Sequence, residues 1–251
     1  MKEKIQELFE YRKIPYLLSF VKKKERKWLV KCLIQLQKDI YELDSYLESK
    51  WNLKTKKLDK YWSKINRTLS KLGYSPEESH KLTSHVRKYQ LHETQLRERK
   101  MPSRLSKEYY YYYKSCDVRL TRTIIFDYTE NDKYSCDITD WRFFDLITEI
   151  NDDIEDIFED QDTINGNLFN ILIHEVGLEI ASKQIYTVLN EFYDASNDRY
   201  RMTKNIDKLN IMKWTSEYYF DTVELLRKNS KVIRKKPFDD KAGLYHYLSS
   251  D

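Results

Sequence analysis

Apolar residues recur every three to four positions along most of the chain, the period of amphipathic helices that bury one face. Leu29, Leu33, Leu36, Ile40, Leu43 and Leu47 predict a helix from about Glu25 to Ser49. Leu58, Trp62, Ile65, Leu69 and Leu72 predict another from about Leu53, stopped at Gly73. Residues 1–20 read as a short helix bent near Pro15. Ser75-Pro76-Glu77-Glu78 has the capping-box pattern with Pro at the first helical position, and opens a helix carrying His80, His85 and His92. A helix from Arg104 to Tyr128 follows the Met101-Pro102-Ser103 break. After a loop over 129–136, Asp137 or Thr139 would cap a helix ending near Asp162. Helices over Leu168–Glu175, Leu178–Arg201 and Leu209–Lys228 complete the set, with Gly177 as a break. The expected fold is all-α: one helical-bundle domain of about eight helices over 1–231, then a loose tail over 232–251.

The densest charge lies in Thr148–Asp160, TEINDDIEDIFED, where Ile150, Ile154 and Ile157 keep one apolar face. Asn151, Glu155 and Glu159 are spaced i, i+4, i+8, and so are Asp152, Asp156 and Asp160. Residues four apart on a helix are neighbours, so oxygen ligands at that spacing can share or bracket a Mg²⁺ ion. Carboxylates this dense repel one another unless a cation sits among them.

Composition supports a folded helical protein: 251 residues, 14% aromatic, and only 4 Gly and 4 Pro. Net charge is +4, with Lys/Arg concentrated in 1–122 and acids in 127–162. Cys32, Cys116 and Cys136 are widely spaced and odd in number, which fits neither a disulfide framework nor a zinc site. Without an apolar leader or an apolar run long enough to span a bilayer, a cytoplasmic protein is expected. Lys22–Lys24, Lys54–Lys57 and Arg97–Lys100 are basic, but acids interleave them, and no nucleic-acid partner is expected.

Leu146–Asp156, LITEINDDIED, resembles the second aspartate-rich motif of the class I isoprenoid synthases, and is most similar to the squalene and phytoene synthase branch. Asp152, Glu155 and Asp156 match the acidic positions of its L-T-N-I-x-x-D-x-x-E-D run. The stretch also resembles a DDxxD motif, and the N-D-x-x-S-x-x-x-E motif of terpene cyclases through Asn151, Glu155 and Glu159. The resemblance implies helices around a deep cavity and Mg²⁺ ions joining carboxylates to a prenyl diphosphate, whose ionisation gives an allylic cation. Implied metal ligands are Asn151, Asp152, Glu155, Asp156 and Glu159, with Asp152 and Asp156 catalytic.

The opposing acidic motif has no clean match: Asp44 and Glu48 have the spacing, whereas Asp117 has Lys114, Arg119 and Arg122 nearby to take diphosphate oxygens. Asp117 is the preferred third catalytic residue. A further row, Asn190, Asp194 and Asp198, precedes Arg199-Tyr200, as in a terpene-cyclase motif. The five tyrosines Tyr109–Tyr113 encircle their helix and read as core with hydroxyls at its rim. The expected function is a Mg²⁺-dependent terpene or isoprenoid synthase, a cyclase or a prenyl-joining enzyme, with the homodimer question open. The alternative is a non-catalytic helical interaction or scaffold protein with an acidic partner-binding helix.

Overall fold

A computed structural model describes residues 2–129, 134–235 and 244. Those residues form twelve α-helices and no named strand, so the all-α class holds. None of these helices is long and apolar enough to cross a membrane. Contacts group the chain into two compact units, 1–91 with 116–138, and 92–115 with 139–251.

The first unit holds α1 (Lys2–Tyr11), α2 (Ile14–Leu18), α3 (Lys23–Ser49), α4 (Thr55–Lys71), α5 (Pro76–Leu82) and the start of α6 (Ser84–Gln95). It also takes α8 (Cys116–Asp127). The first twenty residues are two helices, because Lys13 adopts a left-handed φ of 57° ahead of Pro15. The leucine stripe of α3 is buried and α4 packs on it antiparallel: Asp39 meets Thr68 at 3.0 Å, and Glu42 pairs with Lys64.

The capping box at Ser75 forms, with Ser75 Oγ accepting from Glu78 N–H and Glu78 Oε2 accepting from Ser75 N–H. Ser75→Ala is expected to remove about 1 kcal/mol of stability, read by urea unfolding. An unchanged midpoint would mean that tertiary contacts alone hold α5.

The helix expected to carry all three histidines breaks at Thr83, whose buried hydroxyl donates to Ser79 O at 2.8 Å. The helix expected over Arg104–Tyr128 breaks at Ser115, whose hydroxyl donates to Tyr112 O, leaving α7 (Lys107–Lys114) and α8. A hydroxyl that bonds its own backbone competes with the helix ladder, so each break forms without Gly or Pro.

The second unit contains α7, α9 (Arg142–Glu155), α10 (Leu168–Val176), α11 (Leu178–Tyr200) and α12 (Ile206–Lys235). Gly177 separates α10 from α11 with φ +81°, which costs an L residue strain. α9 packs against α7, α10, α11 and α12, and is the centre of this unit. Residues 144–151 of α9 are all buried, as are 153 and 154. α12 runs four residues into the stretch read as a tail, and 236–243 and 245–251 lie outside the described residues.

Candidate functional site

The acidic segment is shorter as a helix than its spacing predicts. α9 ends at Glu155, and 3-10 turns over Asp156–Phe158 and Asp160–Asp162 follow. Its start differs as well: a 3-10 turn over Ile138–Trp141 leads in, and Trp141 occupies the cap position without a side-chain bond, so neither Asp137 nor Thr139 caps it.

The buried part of α9 carries a polar row besides the two whose spacing is noted above. Asp145, Glu149 and Asp153 are spaced four apart and are 1%, 5% and 0% exposed. The same i, i+4, i+8 test applied one and two turns earlier finds this row in the sequence. What the sequence does not disclose is that α9 is enclosed all round through residues 144–151, which leaves this stretch no solvent side. Asn151, one of the predicted ligands, is buried and donates its Nδ2 to Thr222 Oγ1 at 2.9 Å.

A cation does sit among these acids. Lys114, at the end of α7, pairs through Nζ with Asp153 Oδ1. Tyr111 OH and the Leu168 backbone N–H both donate to Asp153 Oδ2 at 2.9 Å. Asn167 donates to Asp153 O at 2.7 Å and Asp160 Oδ2 at 2.8 Å, and its own Oδ1 accepts from Asn170 N–H as the cap of α10. Burial opposes the Lys114 ammonium, but Asp153, with Tyr110, Glu149 and Asp160, outweighs it and holds Lys114 well above its ordinary range. For Asp153 burial pulls the carboxyl up against Lys114. Three donors to its two oxygens favour the charged form against that burial. Lys114, expected to take diphosphate oxygens, is thus engaged with a buried carboxylate.

At the exposed end, Glu155, Asp156 and Glu159 are at the surface and make no ion pair among the described residues, whereas Asp152 is half-buried. Crowding by protein atoms, then Asp160 and Asp152, pushes the Asp156 carboxyl up to about 6. Its side chain nevertheless faces solvent, and that exposure limits the energy involved. A carboxyl raised on folding contributes stability at low pH that is lost as pH rises through about 6. Asp156→Asn is therefore expected to stabilise the protein at pH 7 by less than about 1 kcal/mol and to flatten the melting temperature between pH 4 and 7. A variant less stable than wild type at pH 7 would contradict this.

Asp117, Arg119 and Arg122 lie on α8, in the first unit. Asp117 Oδ2 accepts from Gln37 Nε2 at 2.7 Å and Oδ1 from Val118 N–H. Arg119 Nη2 lies 3.1 Å from His85 Nδ1, and burial, then the Arg119 charge, lower the His85 pKa. Arg122 is fully buried and donates to Arg12 O at 2.9 Å. Asp44 and Glu48 are half-buried on α3. Asn190 accepts from Tyr219 OH, and Asp194 and Asp198 are exposed. Arg199 and Tyr200 serve a different acid: Asp140 is buried, with Arg199 Nη2 3.0 Å from its Oδ1, Lys208 Nζ 3.3 Å from its Oδ2 and Tyr200 OH on its carbonyl.

Within Tyr109–Tyr113, Tyr110 and Tyr111 are the buried pair, and their hydroxyls reach Gly166 O and Asp153. In the first unit a surface depression of about 330 Å³ is lined by Thr123, Phe126, Asp127, Tyr134 and Cys136, none of them singled out as a site residue.

Among the described residues no three His, Cys, Asp or Glu side chains converge as a ready cation cage. Mg²⁺ does not require one, since it keeps several waters and takes one or two carboxylates plus substrate phosphates. Asp152 and Asp156 fit that donor set: they are one turn apart, with Asp156 N–H bonded to Asp152 O, and their mutual repulsion is what a divalent ion relieves. Asp153 does not fit, being committed to Lys114, Tyr111 and Leu168. No family model, no curated protein and no solved structure matches the chain.

Proposed function

We propose that this protein is a Mg²⁺-dependent enzyme of the class I isoprenoid synthase kind, acting on a prenyl diphosphate. The observation that carries the reading is the Asp152–Asp156 pair where α9 leaves the interior: the two lie one turn apart, and burial, Asp160 and Asp152 push the Asp156 carboxyl up to about 6. Crowded carboxyls whose pKa is raised by one another cluster at sites where charge is used. In this reading Asp152 and Asp156 would hold a Mg²⁺ ion, which when bound would supply positive charge opposite a departing diphosphate. Lys114 and Asn167 fix the base of α9, so that Asp152 is presented from a rigid element. Asp117, Arg119 and Arg122 belong to the other unit, Arg122 fully buried, and carry no part of this reading.

The exposed end of the acidic segment favours a second reading, a helical interaction protein whose Glu155, Asp156 and Glu159 meet a basic partner. Release of inorganic diphosphate from farnesyl or geranylgeranyl diphosphate separates the two. The enzyme reading expects release that requires Mg²⁺ and falls at least about 100-fold in Asp152→Asn. No release from either substrate, with Mg²⁺ present, would leave the interaction reading.

A further inference from the structure

Basic residues outside the runs named above are brought onto one helix pair by the fold of the first unit. On α3, Lys27, Lys31 and Lys38 are exposed, and on α4 so are Lys60, Arg67 and Lys71. At 100° per residue each set falls within an arc of about 60°. The two helices run antiparallel, and the Glu42–Lys64 pair, 26% and 35% exposed, marks where their seam reaches the surface. The two cationic rows flank that seam. Glu42 lies within these arcs and is engaged by Lys64.

The aromatic rings at the seam are covered: Lys57 sits 5.4 Å over the Tyr46 ring and Lys64 5.6 Å over Tyr61. Trp28, 43% exposed, lies toward one end of the seam with its ring against Tyr128.

We propose that this α3–α4 face binds the phosphate backbone of double-stranded nucleic acid without sequence preference. Each row is about 16 Å long at 1.5 Å per residue, and packed helices are about 8–10 Å apart. A duplex carries one charge per about 1.7 Å of axis, so such a face meets several phosphates at once. A membrane surface would call for a broad apolar face among the lysines, whereas the rings between the rows are capped by ammonium groups. The proposal is independent of the diphosphate reading, since it uses other residues and another helix pair.

The test is fluorescence anisotropy of the full chain with a labelled 20-base-pair DNA duplex and the matching RNA duplex, beside vesicles containing phosphatidylserine. Binding is expected to weaken about 1,000-fold between 50 and 200 mM salt, as for about six phosphate contacts. Lys31→Glu/Lys38→Glu/Lys60→Glu/Arg67→Glu is expected to lose at least about 100-fold in affinity. A control with the same net charge, Lys183→Glu/Lys213→Glu/Lys228→Glu/Lys231→Glu on α11 and α12, should lose less than about tenfold. Should the first variant fail to fold, the same four positions changed to Gln give the reading. No duplex binding, equal loss in the control, or binding to vesicles alone would each overturn the proposal.

Discussion

Lys114→Met is expected to lower the free energy of unfolding by about 3–5 kcal/mol, the usual result of removing one partner of a buried ion pair. The substituent is nearly isosteric, so the loss is electrostatic. Asp153 is fully buried and would keep Tyr111 OH and the Leu168 N–H, two dipoles in place of a full positive charge. Glu149 and Asp160, which also act on Lys114, would then repel Asp153 without the ammonium among them.

Two companions separate this cause from lost packing. Asp153→Asn in the Lys114→Met background removes the orphaned charge and should recover part of the loss. Lowering the pH should also narrow the gap to wild type, because a buried, unpaired Asp153 would have its pKa raised on folding, and such a group stabilises the fold more as it takes a proton. Urea unfolding at pH 5 and pH 7 reads both. A loss below about 1 kcal/mol, the size of an exposed pair, would show that the pair is solvated.

Asn167→Ala should cost about 2–4 kcal/mol through two separable losses. The first is the cap of α10, about 1 kcal/mol. The second is the pair of bonds from Nδ2 to Asp153 O and Asp160 Oδ2, whose loss strands a buried carbonyl at about 1–3 kcal/mol. Asn167→Ser keeps an oxygen able to cap and should lose only the second part. Equal destabilisation by Ala and Ser in chemical denaturation would assign the whole effect to the bridge. A difference larger than about 2 kcal/mol would assign it to the cap.

The elements that depend on near neighbours were legible in the sequence. The leucine stripe of α3, the Ser75 capping box and the Gly177 break are set by residues within a turn or two, and each forms as the pattern predicts. The breaks at Thr83 and Ser115 were not legible, because Ser and Thr are common inside helices and only the folded backbone selects where a hydroxyl displaces the ladder. The acidic segment shows the same division more sharply. Its i, i+4 spacing was visible, but a helical wheel assumes a solvent side, and α9 has none through residues 144–151. The residues singled out from Asn151 onward therefore straddle the point where the helix leaves the interior and ends. Asp145, Glu149 and Asp153 form a further row on the enclosed portion, which spacing alone does not separate from the other two. The Lys114–Asp153 pair spans 39 positions and two helices, so no local pattern announces it.

That division also accounts for how the candidate residues fall. Lys114 and Asp153 anchor α9, whereas Asp152 and Asp156 stand where the helix emerges and carry the proposed metal contact. The most direct measurement is the thermal midpoint with Mg²⁺ and farnesyl or geranylgeranyl diphosphate, together and separately, in wild type and in Asp152→Asn/Asp156→Asn. A ligand at a hundred times its dissociation constant stabilises by about 2.7 kcal/mol, which in a chain of this size is a rise of roughly 5–10 °C. The account predicts that rise only when metal and diphosphate are both present, and its loss in the double variant. An unchanged midpoint with every combination, or an equal rise in the variant, would contradict it.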